Sequence, residues 1–268
     1  MGDSMALELV VITKIVPDGS EVFIDPVNLT LNRSLATNVI NPADENALEL
    51  ALQVKARYGG RITVLSMTPP FAIPYLEECV GRGADRAILL SDKAVAGSDT
   101  YPTSLAIAAA IKHIGKVDIV FAGEKTSDSS TGHVGPGVAE FLDAELASYV
   151  SSVEYDDGYV IATREFEEGT EVVRIPTPAV VTVLTNSNNP RKASLRRKID
   201  AIRQGVIVWD LKEVGLPPDA VGLRNSPTIV KRMIPFPRRD RKGEKITTDN
   251  IAKLVDVFEQ NKLIKGGE

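Results

Sequence analysis

Four short runs in the first half of this chain are apolar almost from end to end. They are "LELVVIT" (7–13), "RITVLSM" (61–67), "ADRAILLSD" (84–92) and "DIVFAG" (118–123). Helix-like patterns separate them, at 41–58, from about Pro74 to Arg82, and in "PTSLAIAAAIKHIG" (102–115), with "GPGVAEFL" (135–142) opening another. A strand without polar alternation is one whose two faces are both covered, and the helices between are the covers. Strand, helix, strand with short connections imposes parallel strands and right-handed crossovers. The expectation is a doubly wound α/β sheet, mostly parallel, with helices on both faces. The first helix carries its own punctuation: Asn41 at the N-cap, Pro42 at the first helical position, Asp44 at the third, and Gly59-Gly60 closing it. Before it, "VFIDPVNLTLN" (22–32) reads as two extended pieces around a turn at Asp25-Pro26.

Beyond Leu146 the texture changes. Residues 147–185 hold β-branched runs broken by Asp-Asp-Gly and Glu-Glu-Gly, the pattern of antiparallel hairpins feeding a last core strand, "PAVVTVLT". A basic segment follows, and beyond Trp209 come proline and charge, with a helical pattern from about Thr248 to Leu263. The organisation expected is an α/β domain over 1–205, including the hairpin region 147–185 and a loop at 186–205, and an extended arm with a helix over 206–268.

Composition removes several classes of function. The net charge of −5 argues against nucleic-acid binding, including through the basic stretch 191–203. The single cysteine, Cys79, gives no internal disulfide and fits a reducing cytoplasm, and two histidines leave too few soft ligands for a zinc site. No apolar run approaches the roughly 18 residues of a membrane span, and "MGDSMALELVVIT" has no basic n-region or cleavage pattern.

In an open parallel sheet, ligands bind outside the carboxyl ends of the strands. Four loops meet on that edge: 12–18, 66–70, 91–101 and 123–135. The third supplies Asp92, Gly97, Asp99 and Thr100, with Thr103 just beyond. The last supplies Asp128, Ser129, Ser130, Thr131, Gly132 and Gly135 directly ahead of a helix. Hydroxyls and free backbone N–H groups at a helix N-terminus form an anion site, so this loop reads as a holder of phosphate or pyrophosphate, or as a serine-rich connection with capping residues. No G-x-G-x-x-G, Walker A or G-x-S-x-G motif is present. His133 with two serines on one loop is not a triad, and it reads as a hydrogen-bond donor or a first-turn residue. Asn41 to Asp44 are explained by helix capping, and they also face the ligand edge. In the basic run, Leu195, Ile199 and Ile202 share one helical face, which either packs on the body or, ringed by cations, docks on an acidic partner.

Nearly the whole chain resembles the β subunit of electron transfer flavoproteins. "ITKIVPD", "INPADENALELAL", "GADRAILLSDKAVAGSDTYPTS" and "GLRNSPTIV" are similar to motifs of that family. So is "ATREFEEGTEVVRIPTPAVVT", with Arg164, Glu167, Glu168, Gly169, Glu171, Pro178 and Thr182 in register. The resemblance implies an adenine nucleotide α-hydrolase-like fold and a heterodimer with an FAD-bearing α subunit. Its β-site nucleotide, AMP or a second FAD, would touch Ile12, Asn41, Pro42, Ala43, Asp44 and Met67. It would also touch the loop Asp128, Ser129, Ser130, Thr131, Gly132 and His133, and the helix start Val134, Gly135, Pro136, Gly137, Val138 and Ala139. Val134-Gly135-Pro136 and the "AGSDTYPTS" loop resemble the electron-bifurcating branch, in which FAD takes hydride from NADH and Thr103 borders the flavin ring. Ser130, which removes a negative charge, and His133, which replaces an amide, depart from that branch's usual run. The implied electron acceptors are ferredoxin or flavodoxin and, through the α subunit, an acyl-CoA dehydrogenase or membrane-associated quinone oxidoreductase. "NPRKASLRRKIDA" is similar to the family's partner-recognition loop, with Leu195 as anchor among Arg191, Lys192 and Arg196. The alternatives are a β subunit holding only structural AMP, and a stand-alone adenine-nucleotide sensor or hydrolase. The implied location is cytoplasmic, with any membrane association made through a partner.

Overall fold

The computed structural model describes residues 6–18, 37–231, 243 and 247–263; the expected extended pieces at 22–32 and most of the segment 232–246 lie outside them. In chain order the elements are β1 (Glu8–Ile12), a short antiparallel pair β2 (Ile15–Pro17) and β3 (Asn38–Ile40), α1 (Pro42–Tyr58), β4 (Arg61–Met67) and α2 (Ile73–Arg82). β5 (Arg86–Leu90), α3 (Thr100–Ile114), β6 (Ile119–Gly123) and α4 (Val134–Leu142) complete the doubly wound part. Then come β7 (Glu145–Asp156), β8 (Tyr159–Phe166), β9 (Gly169–Pro176), β10 (Ala179–Val183), α5 (Leu195–Gln204), β11 (Ile207–Trp209) and α6 (Ile251–Gln260).

Nine strands form one sheet in the order β11-β5-β4-β1-β6-β10-β7-β8-β9. From β11 to β7 every neighbouring pair is parallel, and β8 and β9 add an antiparallel flank. Alternate residues of one strand point to opposite faces. Thus Leu9 and Val11 of β1 pack with Leu48, Leu52 and Leu76 beneath α1 and α2, whereas Val10 and Ile12 join Ile107, Ile111 and Val138 beneath α3 and α4. Each large side chain fully buried in this way contributes about 1.5–3 kcal/mol. The Asp157-Gly158 turn between β7 and β8 uses left-handed backbone at both positions (φ 37° and 85°), as the Asp-Asp-Gly signal requires.

Two features of this topology place a site. From β1 the chain crosses by α1 on one face to β4, whereas β6, on the other side of β1, leads into α4 on the opposite face. The loops after β1 and β6 therefore part, and the crevice between them is the topological switch point of the sheet. α4 is also pressed hard against its neighbours: a Cβ on Gly135 would lie 2.5 Å from Thr182 Cγ2 on β10, and one on Gly137 would lie 2.5 Å from Ser104 Oγ on α3. These glycines let the helix start sit close to the sheet.

The compact body extends to residue 231, past the boundary expected at 205. β11 pairs parallel with β5, and Leu211, Val214 and Val221 are buried in the core beneath α3 and α4. Irregular spacing among prolines hid these apolar residues from a periodicity reading. The remaining unit, 232–268, contains α6, whose approach is closed by a capping box between Thr247 and Asn250.

The close seating of α4 gives a first test. Gly135→Ala should lower unfolding stability by about 1–3 kcal/mol, the usual cost of overpacking. Adding Thr182→Ser, which removes the struck methyl and keeps the hydroxyl, should recover much of that loss in urea unfolding.

Candidate functional site

The crevice is built from the first two turns of α1. Asn41, 1% exposed, is the N-cap residue of α1 as expected, but its side chain makes no capping hydrogen bond. It reaches across the switch point instead: its Nδ2 donates to Lys125 O (2.9 Å) and its Oδ1 accepts from Ser127 N (3.1 Å). Asp44 is buried as well, and its carboxylate accepts from the backbone N–H of Lys14 (2.7 Å) and of Gly123 (3.1 Å). One carboxyl group thus ties together the ends of β1 and β6. Burial pushes its pKa up to about 7, against the opposing pull of Asn41, the two backbone donors and the Lys14 charge.

The loop between β6 and α4 is a folded unit. Ser130 N donates to Thr126 O (2.8 Å), the Thr126 and Ser129 hydroxyls share a hydrogen bond (2.8 Å), and the chain turns through left-handed backbone at Ser130 (φ 53°) and Gly132 (φ 67°). Across the crevice, Lys14 Nζ donates to both carboxylate oxygens of Asp128, at 2.8 and 2.7 Å. Burial raises the Asp128 pKa, but Lys14 and the hydroxyls of Thr126 and Ser129 outweigh it and hold the carboxyl below the usual range. Beside Lys14, the buried hydroxyl of Thr13 has no hydrogen-bond partner among the described residues.

The structure thus links Asn41, Asp44 and Asp128 through shared neighbours: Asp44 and Asp128 both bond Lys14, and Asn41 bonds Lys125 and Ser127, in the loop that also holds Ser129 and Ser130. Met67 and Thr103 lie half-buried at the ends of neighbouring elements on the same sheet edge. Val138 and Ala139 are buried beneath α4 and seat that helix, and Ile12 is buried in the sheet. His133 stands exposed at the start of α4, while the hydroxyls of Ser129 and Ser130 bond within their own loop. Neither serine of this loop is paired with a base among the described residues, so the arrangement suits holding an anion at the first turn of α4, where a helix start leaves backbone donors unspent.

Helix α1 also holds the basic loop. Buried Glu49 accepts from Arg191 Nε (2.8 Å), Nη2 (2.7 Å) and backbone N (3.1 Å). Burial raises the Glu49 pKa, but the Arg191 guanidinium outweighs it and holds the carboxyl below its ordinary value. Asn46 and Asn188 exchange side-chain-to-backbone bonds at 2.8 and 3.0 Å. Arg191 is therefore engaged within the fold, whereas Lys192 and Arg196 are exposed. Ser194 caps α5. Leu195 is 76% exposed and Ile202 60%, so this apolar face does not pack on the body.

Sequence reasoning missed Lys14, Asn46 and Glu49. A charged Glu49 inside the apolar run "NALELALQ" was the available signal, since a buried carboxylate needs a partner. A further cleft of about 780 Å³, flanked by Glu124, Glu165, Glu167, Glu168, Tyr149 and Phe166, was also unforeseen. Among the described residues, no helix is long and apolar enough to cross a membrane and no cluster of His, Cys, Asp or Glu could hold a metal.

Comparison with known proteins gives concordant matches. Residues 28–212 match the family described as the electron transfer flavoprotein domain. The chain is 40% identical over 250 residues to the caffeyl-CoA reductase-Etf complex subunit CarD of Acetobacterium woodii, covering 93% of this chain and 95% of that protein. It is 40% identical over 257 residues to the electron transfer flavoprotein subunit beta of Clostridium acetobutylicum, covering 96% and 98%. Protein FixA of Sinorhizobium fredii is likewise 40% identical over 250 residues, covering 90% and 88%.

Two measurements check this site. Glu49→Ala should cost about 1–3 kcal/mol of stability, as expected on losing charge-assisted hydrogen bonds whose remaining partner, Arg191, is 42% exposed and open to water, and should raise amide exchange in residues 188–194. Asp44 titrates higher when folded than the roughly 3.9 of an unfolded aspartate, so the folded state holds a proton that the unfolded state gives up. Stability should therefore fall as pH rises from about 4 to about 7, and Asp44→Asn should remove that slope in unfolding curves taken across the range.

Proposed function

The chain belongs to the electron transfer flavoprotein family, and from that premise we propose that it is the β subunit of a heterodimer whose switch-point crevice holds FAD. The observation carrying this reading is the folded loop 124–133. Asn41 fixes it ahead of α4, with Lys14 offsetting the Asp128 carboxylate, Glu124 bonded to Thr185, and an orphaned Thr13 hydroxyl next to Lys14 in the chain. Backbone donors at a helix start, a nearby hydroxyl and a neutralised loop form a donor set that fits a pyrophosphate. Val134-Gly135-Pro136, the resemblance to the bifurcating branch, and a relative named as part of a reductase-Etf complex favour FAD over AMP.

Bound there, FAD would accept hydride from NADH and divide the pair, one electron going to ferredoxin or flavodoxin and the other, through the α-subunit flavin, to a high-potential acceptor. The chain contributes position and charge. The first turn of α4 would offset phosphate charge, Asn41 and Asp44 tie the walls of the crevice together, and Thr103 would offer a hydroxyl to the ring. Pinned at its base by Arg191, α5 offers Leu195 and Ile202 among Lys192 and Arg196 to an acceptor such as an acyl-CoA dehydrogenase or quinone oxidoreductase.

The deciding experiment is a nucleotide count on the coexpressed αβ complex after denaturation and chromatography. About two FAD and no AMP per heterodimer supports this reading, one nucleotide for each site. One FAD with one AMP leaves the crevice as a structural AMP site and removes bifurcation. Leu195→Ala should leave the unfolding midpoint unchanged, because the side chain is exposed, and should weaken acceptor docking by about tenfold or more, as for an anchor residue.

A further inference from the structure

An anion-binding loop that carries its own carboxylate poses an electrostatic problem. Asp128 lies on the loop ahead of α4, and its side chain is only 6% exposed. Left unneutralised, a fixed negative charge there would repel a phosphate across a short, poorly screened distance. We propose that Lys14 is a positioning residue for the ligand of this crevice, acting by holding and neutralising Asp128 so that the loop accepts the phosphate groups of an adenine nucleotide. The proposal rests on reading the crevice as a nucleotide site.

Three observations carry it. The ion pair spans the switch point, from the second residue after β1 to the loop after β6, with Lys14 Nζ at 2.8 and 2.7 Å from the two carboxylate oxygens. Both ends of the pair are set by buried groups of one helix. Asp44 fixes the backbone of Lys14, and Asn41 grips Lys125 O and Ser127 N, just before Asp128. Among the described residues, the two charges near Asp128 in the loop have other partners: Glu124 accepts from Thr185 N (3.1 Å) and Oγ1 (2.9 Å), and the Lys125 ammonium is 3.9 Å from that carboxylate. Lys14 is 37% exposed at its side chain, so a neutral substitute opens no hole in the core.

The test uses the αβ complex freed of β-site nucleotide, titrated calorimetrically with AMP and with ADP, which carries the adenosine and pyrophosphate that FAD shares. Lys14→Met should weaken ADP binding by about tenfold or more, because the Asp128 carboxylate loses its Lys14 partner beside an anion. Lys14→Arg should restore it. In the Lys14→Met background, Asp128→Asn should recover most of the loss, because the damage lies in the bared charge. Binding by the double variant as weak as that of Lys14→Met would overturn the proposal, since the ammonium would then be touching the phosphate itself. Unchanged binding in Lys14→Met would overturn it as well. A wild-type complex that binds neither probe, and that as purified releases no adenine nucleotide beyond the α-subunit FAD on denaturation, instead removes the nucleotide reading on which the proposal rests.

Discussion

Four polar side chains at the N-cap and on the first two turns of α1, Asn41, Asp44, Asn46 and Glu49, are buried. Each would cost folding free energy if left unpaired. None is satisfied by its own helix alone; their partners are backbone and side-chain groups of distant loops. Asn41 and Asp44 bind the ends of β1 and β6 and the loop beyond. Asn46 and Glu49 bind residues 186 to 191. The shape of the ligand edge and the footing of α5 both follow from the need to satisfy this one polar stripe.

The framework was legible because its signals are local. Apolar runs of strand length, separated by helical periods, give a parallel sheet with two covered faces, and Asp-Asp-Gly and Glu-Glu-Gly give the hairpins. What the sequence could not disclose were pairings over long separations. The Glu49–Arg191 and Lys14–Asp128 contacts join residues 142 and 114 positions apart, and no local pattern marks them. Asn41 illustrates the same limit from the other side. Its position before a proline is that of a helix cap, and only the approach of the 124–131 loop shows that its amide is used elsewhere. Leu211, Val214 and Val221 were concealed for a different reason, because irregular backbone buries apolar residues without a period.

The ligand edge combines two opposed electrostatic demands. Burial makes Asp44 hold a proton more tightly, while Asp128, also secluded, is kept ionised by a cation and hydroxyls. The difference lies in what each carboxylate meets. Asp44 meets mainly backbone dipoles in a dry layer between strand ends, and dipoles compensate a buried charge less fully than an ammonium does. Asp128 meets the Lys14 ammonium at the rim, where direct pairing outweighs desolvation. A crevice with one proton-holding carboxyl beneath and one neutralised carboxylate at its lip presents little net negative charge to an incoming anion.

The footing of α5 bears on how an exposed apolar face can remain specific. Leu195 and Ile202 on a free segment would have to be ordered on contact, at a cost of about 0.5–1.5 kcal/mol for each immobilised side chain and more for the backbone. Here Arg191 and Asn188 are already tied to α1, and Ser194 caps the helix. Much of the ordering is therefore complete before any partner arrives, and binding energy is left for the contact itself. The cation that does the tying is withdrawn from the docking surface. Steering is left to Lys192 and Arg196, exposed around a leucine that nothing in the fold covers.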